Sequence, residues 1–479
     1  MATRERMSRA DAAWLRMDRP TNLMIINGVL LFDEPVDWAR FREVVSERLI
    51  DRYPRFRQRV VEPGGLRAGV FWEDDPRFDP ALHLHHLALP APGDRAALQE
   101  LVGDLMAEPL DRAKPLWHFY MVDGYGEGSA LYARMHHCIA DGIALARVLL
   151  SLTDSEAEAG IAPAAPPAAG RRGLTSRVTR TVSGALHAGR AAAGALAHEG
   201  FEMLTHPSSE LSHLAELART DSKALAHVLL TPADTKTPLK GELGIARRVA
   251  WSEPFSLDRV RRIAHSNSAT INDVLVAAMT GALRRYLRGR KTLVDEIRAF
   301  VPFNLRPLDE PLPASLGNKF GLVFLPLPVG ARTAAARLRQ VKERMEEIKH
   351  SPEAAIAYGF LELMGLTVAQ VESILIDVFS AKGTTVITNV PGPREPVYLA
   401  GSPVSAVAVW APMSGSVSMS VSIFSYNGQV TVGVMADAGL VPDPGTMVAG
   451  FERELETLAR IAPRRRSSRP AVAAARRSR

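Results

Sequence analysis

The sequence predicts an α/β protein in two halves, each a sheet flanked by helices. Three observations carry this prediction. The chain has 479 residues, more than one ordinary domain holds and enough for large cores. Segments of strand character alternate with amphipathic helical segments over residues 22–154, and the alternation resumes near residue 241. Between them the composition shifts: Ala159-Gly160-Ile161-Ala162-Pro163 through Ala169-Gly170 is rich in Ala and Pro, as linkers are. The predicted units are residues 1–154, a connector 155–240, a second half 241–463 and a tail 464–479.

In the first half, Ser8 to Asp18 reads as a short helix with Trp14 and Leu15 on its apolar side. Asn22 to Phe32 is apolar and β-branched, hence a strand. Asp37 caps a helix to Ile50 whose Trp38, Phe41, Val44, Val45 and Leu49 share a face, and Pro54 marks its end. Phe71 to Glu73 and His83 to Leu89 read as strand pieces. Asp94 caps a helix to about Ala107. Strands follow at His118 to Val122 and at Ala130 to Ala133, and Ile143 to Leu150 is a helix.

In the second half, Arg247 to Trp251 is a strand, Ser256 caps Leu257 to Ser266, and a long helix begins at Thr270 and runs through Leu287. Ile297 to Pro302 and Phe320 to Leu327 are strands, and Thr333 caps Ala334 to Lys349. Thr384 to Val390 is another strand. Val417, Met419, Val421 and Ile423 alternate with Ser416, Ser418, Ser420 and Ser422, and Asn427-Gly428 supplies a two-residue hairpin turn to a return strand, Val430 to Val434. Pro444 to Ala459 is the last helix.

Bulk properties exclude several classes. The stretch from Pro396 to Ala436 lacks charge, but its Ser and Gly content and period-two pattern make it strands rather than a membrane span. The first twenty residues carry charges throughout and lack the apolar core of a secretory signal. A single cysteine, Cys138, excludes an intrachain disulfide and suits a reducing compartment. The expectation is a cytoplasmic protein without an integral anchor. The net charge of +6 is unevenly spread: the tail from Arg464 holds seven arginines and no acid. It reads as a solvated tail, a type that also contacts anionic lipid or nucleic acid; no nucleic-acid partner is expected. Leu174, Val178, Val182, Leu186 and Leu196 recur at helical spacing among Arg171, Arg172, Arg177, Arg180 and Arg190, which describes either a packed connector or a helix lying on an anionic membrane.

The stretch the chemistry points to is His136-His137-Cys138-Ile139-Ala140-Asp141-Gly142, placed where a strand ends and a loop turns into a helix. An imidazole with an unperturbed pKa near ~6.5 takes and returns a proton at neutral pH. Such a base beside a hydroxyl promotes its attack on an ester or thioester. Asp141 can orient His137, or can bind an Arg and hold the loop. Gly142 follows it in a turn signal, where glycine permits backbone angles closed to other residues. Metal binding by His136, His137 and Asp141 is disfavoured because adjacent histidines seldom face one ion. Catalysis through Cys138 is disfavoured because neighbours on an extended segment point apart; a buried, inert thiol fits better. His83, His85 and His86 lack a paired Cys or carboxylate cluster, so no metal is expected there either.

With Asp11-Ala12-Ala13-Trp14-Leu15, Pro115-Leu116-Trp117, Ile271-Asn272-Asp273 and Asn389-Val390-Pro391-Gly392-Pro393 in the same order, the chain resembles the bacterial wax ester synthase/diacylglycerol acyltransferase family across nearly everything but the connector and tail. The His-His motif is shared with chloramphenicol acetyltransferase-like enzymes and condensation domains. The resemblance implies two chloramphenicol acetyltransferase-like domains, each a mixed sheet flanked by helices, with an active-site tunnel between them. It implies His137 as general base, His136 and Gly142 as loop-shaping residues, Asp141 as an ion-pair partner with Arg306 the candidate cation, and Asn272 and Asp273 as supports. Relatives tend to have Pro-Val-Ser before that Arg, where this chain has Pro302-Phe303-Asn304. The implied reaction joins acyl-CoA, as co-substrate and with no further cofactor, to a long-chain alcohol or diacylglycerol, and such oily substrates suit a membrane or lipid-droplet surface. A carrier-bound acyl donor, or a lipid-binding protein without turnover, are the alternatives.

Overall fold

The computed structural model describes residues 4–63, 69–158, 231–306, 311–349 and 376–461. The Ala/Pro-rich linker, the basic stretch 171–200 and the arginine tail lie outside the described residues.

In chain order the first half contains β1 (Arg4–Arg6), α1 (Arg9–Arg16), β2 (Ile25–Phe32), α2 (Trp38–Val45), β3 (Gln58–Val61), β4 (Phe71–Asp74), β5 (Leu84–Ala88), α3 (Arg95–Met106), β6 (Trp117–Tyr125), β7 (Gly128–His136) and α4 (Gly142–Leu150). The second contains β8 (Arg247–Trp251), β9 (Phe255–Ser256), α5 (Leu257–Ser266), α6 (Ile271–Gly289), β10 (Ile297–Asn304), β11 (Phe320–Leu327), α7 (Ala334–Lys349), β12 (Thr385–Pro391), β13 (Tyr398–Leu399), β14 (Ser402–Trp410), β15 (Met419–Tyr426), β16 (Gln429–Asp437) and α8 (Pro444–Ile461). The helices start where short polar side chains satisfy free N–H groups: Ser8, Asp37, Asp94 and Ser256 each accept from a first-turn amide. Thr270 and Asp273 form a reciprocal capping box on α6.

Two large mixed sheets result. One runs β13-β14-β2-β7-β6-β5, with β5 parallel to β6 and the other pairings antiparallel. The other runs β11-β10-β12-β15-β16-β8, with β9 beside β16; β10, β12 and β15 are mutually parallel and the rest antiparallel. The first sheet thus takes its last two strands, β13 and β14, from residues beyond 390. β14 pairs with β2 from Val404 opposite Phe32 to Trp410 opposite Asn27. Neither this strand's bounds nor its pairing was foreseen, since the partly period-two stretch from Pro396 to Ala436 gives strand character without naming a partner. It covers the edge of β2, which is buried on both faces.

Three cores follow. One packs α1, α2 and α4 on the outer face of the first sheet, through Trp14, Phe41, Trp117, Phe119 and Leu145. A second packs α5 to α8 on the second sheet, through Val274, Leu283, Val341, Val421 and Phe451. The third joins the inner sheet faces, where Val29, Tyr132 and Trp410 meet Phe300, Phe324 and Trp251. Trp410 reaches this layer because Gly433 lies beneath it: a Cβ there would stand 2.7 Å from the indole Nε1. The end of the connector is pinned to the second half, Lys240 Nζ donating to the Ala381 and Gly383 carbonyls at 2.8 and 2.7 Å. Among the described residues no helix is long and apolar enough to cross a membrane.

Candidate active site

β7 delivers the histidine pair to the end of the first sheet. The His136 N–H donates to the Leu116 carbonyl at 2.9 Å, which gives the Pro115-Leu116-Trp117 motif a structural task, and the His137 N–H donates to the Met24 carbonyl at 2.7 Å. The two rings diverge, as expected for neighbours on extended backbone. His136 Nδ1 accepts from the Cys138 N–H at 3.1 Å, and its Nε2 lies 3.8 Å from Asp18 Oδ1. The His137 ring instead stacks on Trp14, with centroids 4.1 Å apart and planes at 17°, and lies 5.3 Å from Phe320. It is 4 % exposed. Burial pushes its pKa down to about 3, against its own carbonyl and the Asn318 amide, which pull it up. The imidazole is therefore neutral at neutral pH, and its Nδ1 is buried without a hydrogen-bond partner.

A loop from the second half closes over the motif. Gly317 pairs with Ala140, donates to the Ile139 carbonyl at 3.0 Å and holds φ at +89°, a left-handed conformation suited to glycine. Asn318 Nδ2 donates to the His137 carbonyl at 2.7 Å and to Asp11 Oδ1 at 2.7 Å, and its main-chain N–H reaches the same oxygen at 3.0 Å. Burial raises the Asp11 carboxyl to about 6, against hydrogen bonds from Ser8 and Asn318.

Asp141 serves the helix and the loop of the second half. Its Oδ1 caps α4 by accepting from Ala144 at 2.9 Å, and its Oδ2 accepts from the Lys319 N–H at 3.2 Å. Arg306 Nη2 lies 4.0 Å from that Oδ2 and donates to the Gly317 carbonyl at 3.0 Å. Asn304, the departure noted before Arg306, exchanges hydrogen bonds with the Arg306 backbone at 2.8 and 3.0 Å and so sets where this arginine sits. Gly142 does not use the backbone freedom expected of it. It occupies the first turn of α4 without a positive φ, and a Cβ there would have its nearest neighbour 3.9 Å away. The residue that needs glycine's freedom is Gly317, because the loop must reverse to meet the motif.

Asn272 and Asp273 stand at the start of α6. Asp273 Oδ2 accepts from the Thr270 N–H at 2.7 Å, and Asn272 accepts from Asn389, joining the Ile-Asn-Asp and Asn-Val-Pro-Gly-Pro motifs. Cys138 is buried and reduced, and burial pushes its thiol pKa up, helped by Asp11 and Asp18. His83 Nδ1 contacts the Trp117 carbonyl at 2.8 Å, His85 Nε2 contacts His118 Nδ1 at 2.7 Å, and His86 pairs with Asp123 at 2.6 Å. Among the described residues no group of three or more His, Cys, Asp or Glu is placed to hold a metal ion.

Asp11, Trp14, Asn318 and Phe320 were not foreseen as site residues. Asp11 and Trp14 had a signal in the Asp-Ala-Ala-Trp-Leu motif. Asn318 and Phe320 had none beyond following Gly317 at the start of a strand.

A family model described as the wax ester synthase/diacylglycerol acyltransferase catalytic domain matches residues 7–275, and one described as the WS/DGAT C-terminal domain matches residues 316–459. A probable diacylglycerol O-acyltransferase of Mycobacterium tuberculosis is 29 % identical over 470 residues, covering 96 % of each chain. A second, putative one from that organism is 27 % identical over 475 residues, covering 95 % of this chain and 90 % of its own. Among solved structures, a wax ester synthase/diacylglycerol acyltransferase from Marinobacter aquaeolei VT8 superposes with a TM-score of 0.67 at 21 % identity, covering 96 % of this chain and all of that one. The first condensation domain of the calcium-dependent antibiotic synthetase superposes with a TM-score of 0.57 at 16 % identity, covering 96 % of each. Both structures share the fold.

Proposed function

The chain belongs to the wax ester synthase/diacylglycerol acyltransferase family, and from that premise we propose that it moves a fatty acyl group from acyl-CoA to the hydroxyl of diacylglycerol or a long-chain alcohol, with His137 as general base. The observation that supports this reading is a neutral imidazole, buried at the end of β7 in a cluster with Trp14 and Phe320, with a ring nitrogen left unpaired.

The step balances without an acyl-enzyme. His137 takes the hydroxyl proton as the oxygen bonds to the thioester carbonyl. The imidazolium so formed is costly in a dry site, but it faces a tetrahedral intermediate bearing the opposite charge. When the C–S bond breaks, the proton passes from His137 to the departing thiolate, and ester and free CoA leave. General-base catalysis of this kind contributes ~10² to 10⁴ in rate. Acyl-CoA is a co-substrate here, and the reaction needs no other cofactor. Asp141 and Arg306 keep the loop in register, and the Cys138 thiol stays protonated and idle.

Both substrates are oily, and the basic stretch 171–200 suits contact with an anionic membrane or lipid-droplet surface. Deleting it should abolish binding to phosphatidylglycerol-containing vesicles; undiminished binding would reject that contact.

Release of CoA thiol from palmitoyl-CoA tests the central reading, with hexadecanol and dipalmitoylglycerol supplied separately and His137→Ala beside the unsubstituted enzyme. Release should need an acceptor and His137. A His137→Ala protein with full turnover would reject the general base, and no release with either acceptor would redirect attention to a carrier-bound donor.

A further inference from the structure

One end of the second sheet collects exposed apolar side chains. A single rung crosses that sheet through Leu325, Ala299, Thr385, Met419, Ala436 and Arg248. The loops beyond this rung therefore leave the sheet on the same side: residues 241–246 before β8, 290–296 before β10, 328–333 after β11, 376–384 before β12 and 438–443 after β16. Main-chain bonds tie neighbours among them, Gly330 donating to the Asp295 carbonyl at 2.8 Å and Ala438 to the Ala246 carbonyl at 3.0 Å. Ile245, Val378 and Leu293 stand in these loops at 57 %, 54 % and 39 % exposure, three of the five large apolar side chains that are exposed among the described residues. Scattered singly such side chains need no explanation, but gathered at one end they mark a surface that meets something.

The charge at this end is positive once its ion pairs are set aside. Asp377 pairs with Arg19 at 2.7 Å, Asp443 with Arg290 at 3.2 Å, Glu296 with Arg344 at 2.7 Å, Asp234 with Arg298 at 3.7 Å and Asp437 with Arg247 at 3.1 Å, which leaves Glu242 and Asp295. Against these stand Lys236, Arg248, Arg288, Lys291 and Arg332, all exposed and in no ion pair among the described residues. The connector returns to the fold at the same place: the Asp234 N–H donates to the Ala381 carbonyl at 2.9 Å, and Asp234 Oδ2 accepts from Thr384 Oγ1 at 2.6 Å. The basic stretch 171–200 lies upstream in that connector. The site is close by as well. Arg19, the partner of Asp377, and Asn22, whose Nδ2 donates to the Gly415 carbonyl at 2.8 Å, belong to the turn before β2. Met24, two residues on from Asn22, carries the carbonyl that receives the His137 N–H.

We propose that this end of the second half is the face on which the enzyme rests on an anionic lipid bilayer, with Ile245, Leu293 and Val378 entering the interfacial region and the unpaired basic side chains around them meeting lipid phosphates. Surfaces of this kind bind by buried apolar area together with attraction to anionic headgroups. Each Lys or Arg held near such a surface is worth about fivefold in partition. The orientation sets the turn before β2, and so the backbone that carries His137, beside the lipid. A diacylglycerol or long-chain alcohol dissolved in the bilayer then enters next to the imidazole without crossing water.

The inference extends to the folded chain the membrane contact proposed for residues 171–200, and it rests on the acyltransferase reading only for the direction of substrate entry. Full-length protein sedimented with phosphatidylglycerol vesicles, and with phosphatidylcholine vesicles for comparison, tests it. Three variants stand beside it: Lys291→Glu with Arg332→Glu; Ile245→Ser with Leu293→Ser and Val378→Ser; and Leu82→Ser, which alters an exposed leucine of the first half. The first should bind phosphatidylglycerol about 25-fold more weakly, at about fivefold for each basic residue lost. The second should bind about tenfold more weakly. Unfolding midpoints should stay the same, and Leu82→Ser should bind as the unsubstituted chain does. Cys138 is buried, so a polarity-sensitive dye placed on Leu293→Cys or on Leu82→Cys reports from one face alone. Only the dye at 293 should shift to the blue on phosphatidylglycerol vesicles, a readout that needs no loss of binding. Failure of the unsubstituted chain to prefer phosphatidylglycerol, or a blue shift at 82 and none at 293, would overturn the inference. So would normal binding by both surface variants when deletion of 171–200 abolishes it, which would leave that stretch as the contact. A dimer that falls apart in the Ile245, Leu293 and Val378 variant without lipid would assign the face to a second copy of the chain instead. CoA release with dipalmitoylglycerol in the same vesicles should fall in parallel with binding. Absence of release in every protein, the unsubstituted one included, would remove the acyltransferase reading and leave the binding result standing.

Discussion

Replacing Asp141 by Asn and by Ala separates a loop-holding role from a catalytic one. In the structure its two oxygens do different jobs. Oδ1 caps α4 through Ala144, and Oδ2 accepts from Lys319 and faces Arg306 at 4.0 Å. Asparagine is a good N-cap, but with its carbonyl oxygen on Ala144 its Nδ2 faces the Lys319 N–H, so Asp141→Asn should lose the 3.2 Å Lys319 bond together with the attraction to Arg306, whose guanidinium still donates to Gly317. Alanine removes the cap, worth ~1 kcal/mol, and leaves the Lys319 amide without a partner, at a cost of ~1–3 kcal/mol where buried. It also strands a mostly buried Arg306. The expected loss is about 3 kcal/mol for Ala and about 1 kcal/mol for Asn. At ~2 °C per kcal/mol for a large domain, the unfolding midpoints should fall by about 6 °C and about 2 °C. Calorimetry beside CoA-release kinetics provides the assay. Asp141→Asn should retain kcat within about tenfold, since its target is the loop and not the ring of His137. If Asp141→Asn lost activity as completely as His137→Ala at an unchanged midpoint, the carboxylate would be acting on the imidazole and the reasoning from its contacts would be refuted.

Cys138→Ala should keep kcat within about threefold and lose ~1 kcal/mol of stability, because the thiol only fills space; inactivation by an alkylating reagent under native conditions, absent in Cys138→Ala, would contradict this. Stability should fall as pH drops from about 6.5 towards 3. The folded pKa of His137 lies below its unfolded value, so the unfolded chain binds the extra proton in that window, with a slope of up to ~1.4 kcal/mol per pH unit. Asp11 opposes this between about 4 and 6, because its folded pKa is raised and the folded state binds the proton. Denaturant midpoints measured across pH should therefore flatten in His137→Gln and steepen in Asp11→Asn; the reverse order would show the two assignments to be wrong. Gly433→Ala puts a methyl group against the Trp410 indole and should cost ~1–3 kcal/mol by overpacking, read from urea unfolding. A neutral result would mean that β14 does not sit tightly on β16.

Much of the secondary structure was legible because its causes are local. A run such as Met419 to Tyr426, with its Asn427-Gly428 turn, alternates within a single strand, and Thr270 with Asp273 caps a helix across three residues. The His-His motif was legible in the same way, since a strand, a turn signal and a helix lie within twenty residues of one another. The resemblance implied a cation for Asp141, Arg306 was the candidate because it follows a strand, and its Nη2 stands 4.0 Å from Asp141 Oδ2. What remained hidden depends on contacts that no local pattern encodes. The stretch from Pro396 to Ala436 has strand character, yet only the closed sheet shows that its residues 402–410 lie beside β2, in the other half of the chain. Asn318 and His137 are 181 positions apart and Asp11 is 307 from Asn318; nothing in the residues around Asn318 marks it as the one that grips the histidine. Gly142 was misjudged for a related reason, since a glycine after Asp is equally at home in a turn or in the first turn of a helix. Periodicity records how a segment divides its faces between core and water, so the sequence by itself determined most elements, their caps and the strand-loop-helix setting of the His-His motif. Which faces meet is settled by burial and hydrogen bonding across the whole chain, and only the tertiary structure decided the strand exchange at β14, the cluster of His137 with Trp14 and Phe320, and the bonds that join Asn318 to Asp11 and to the His137 carbonyl.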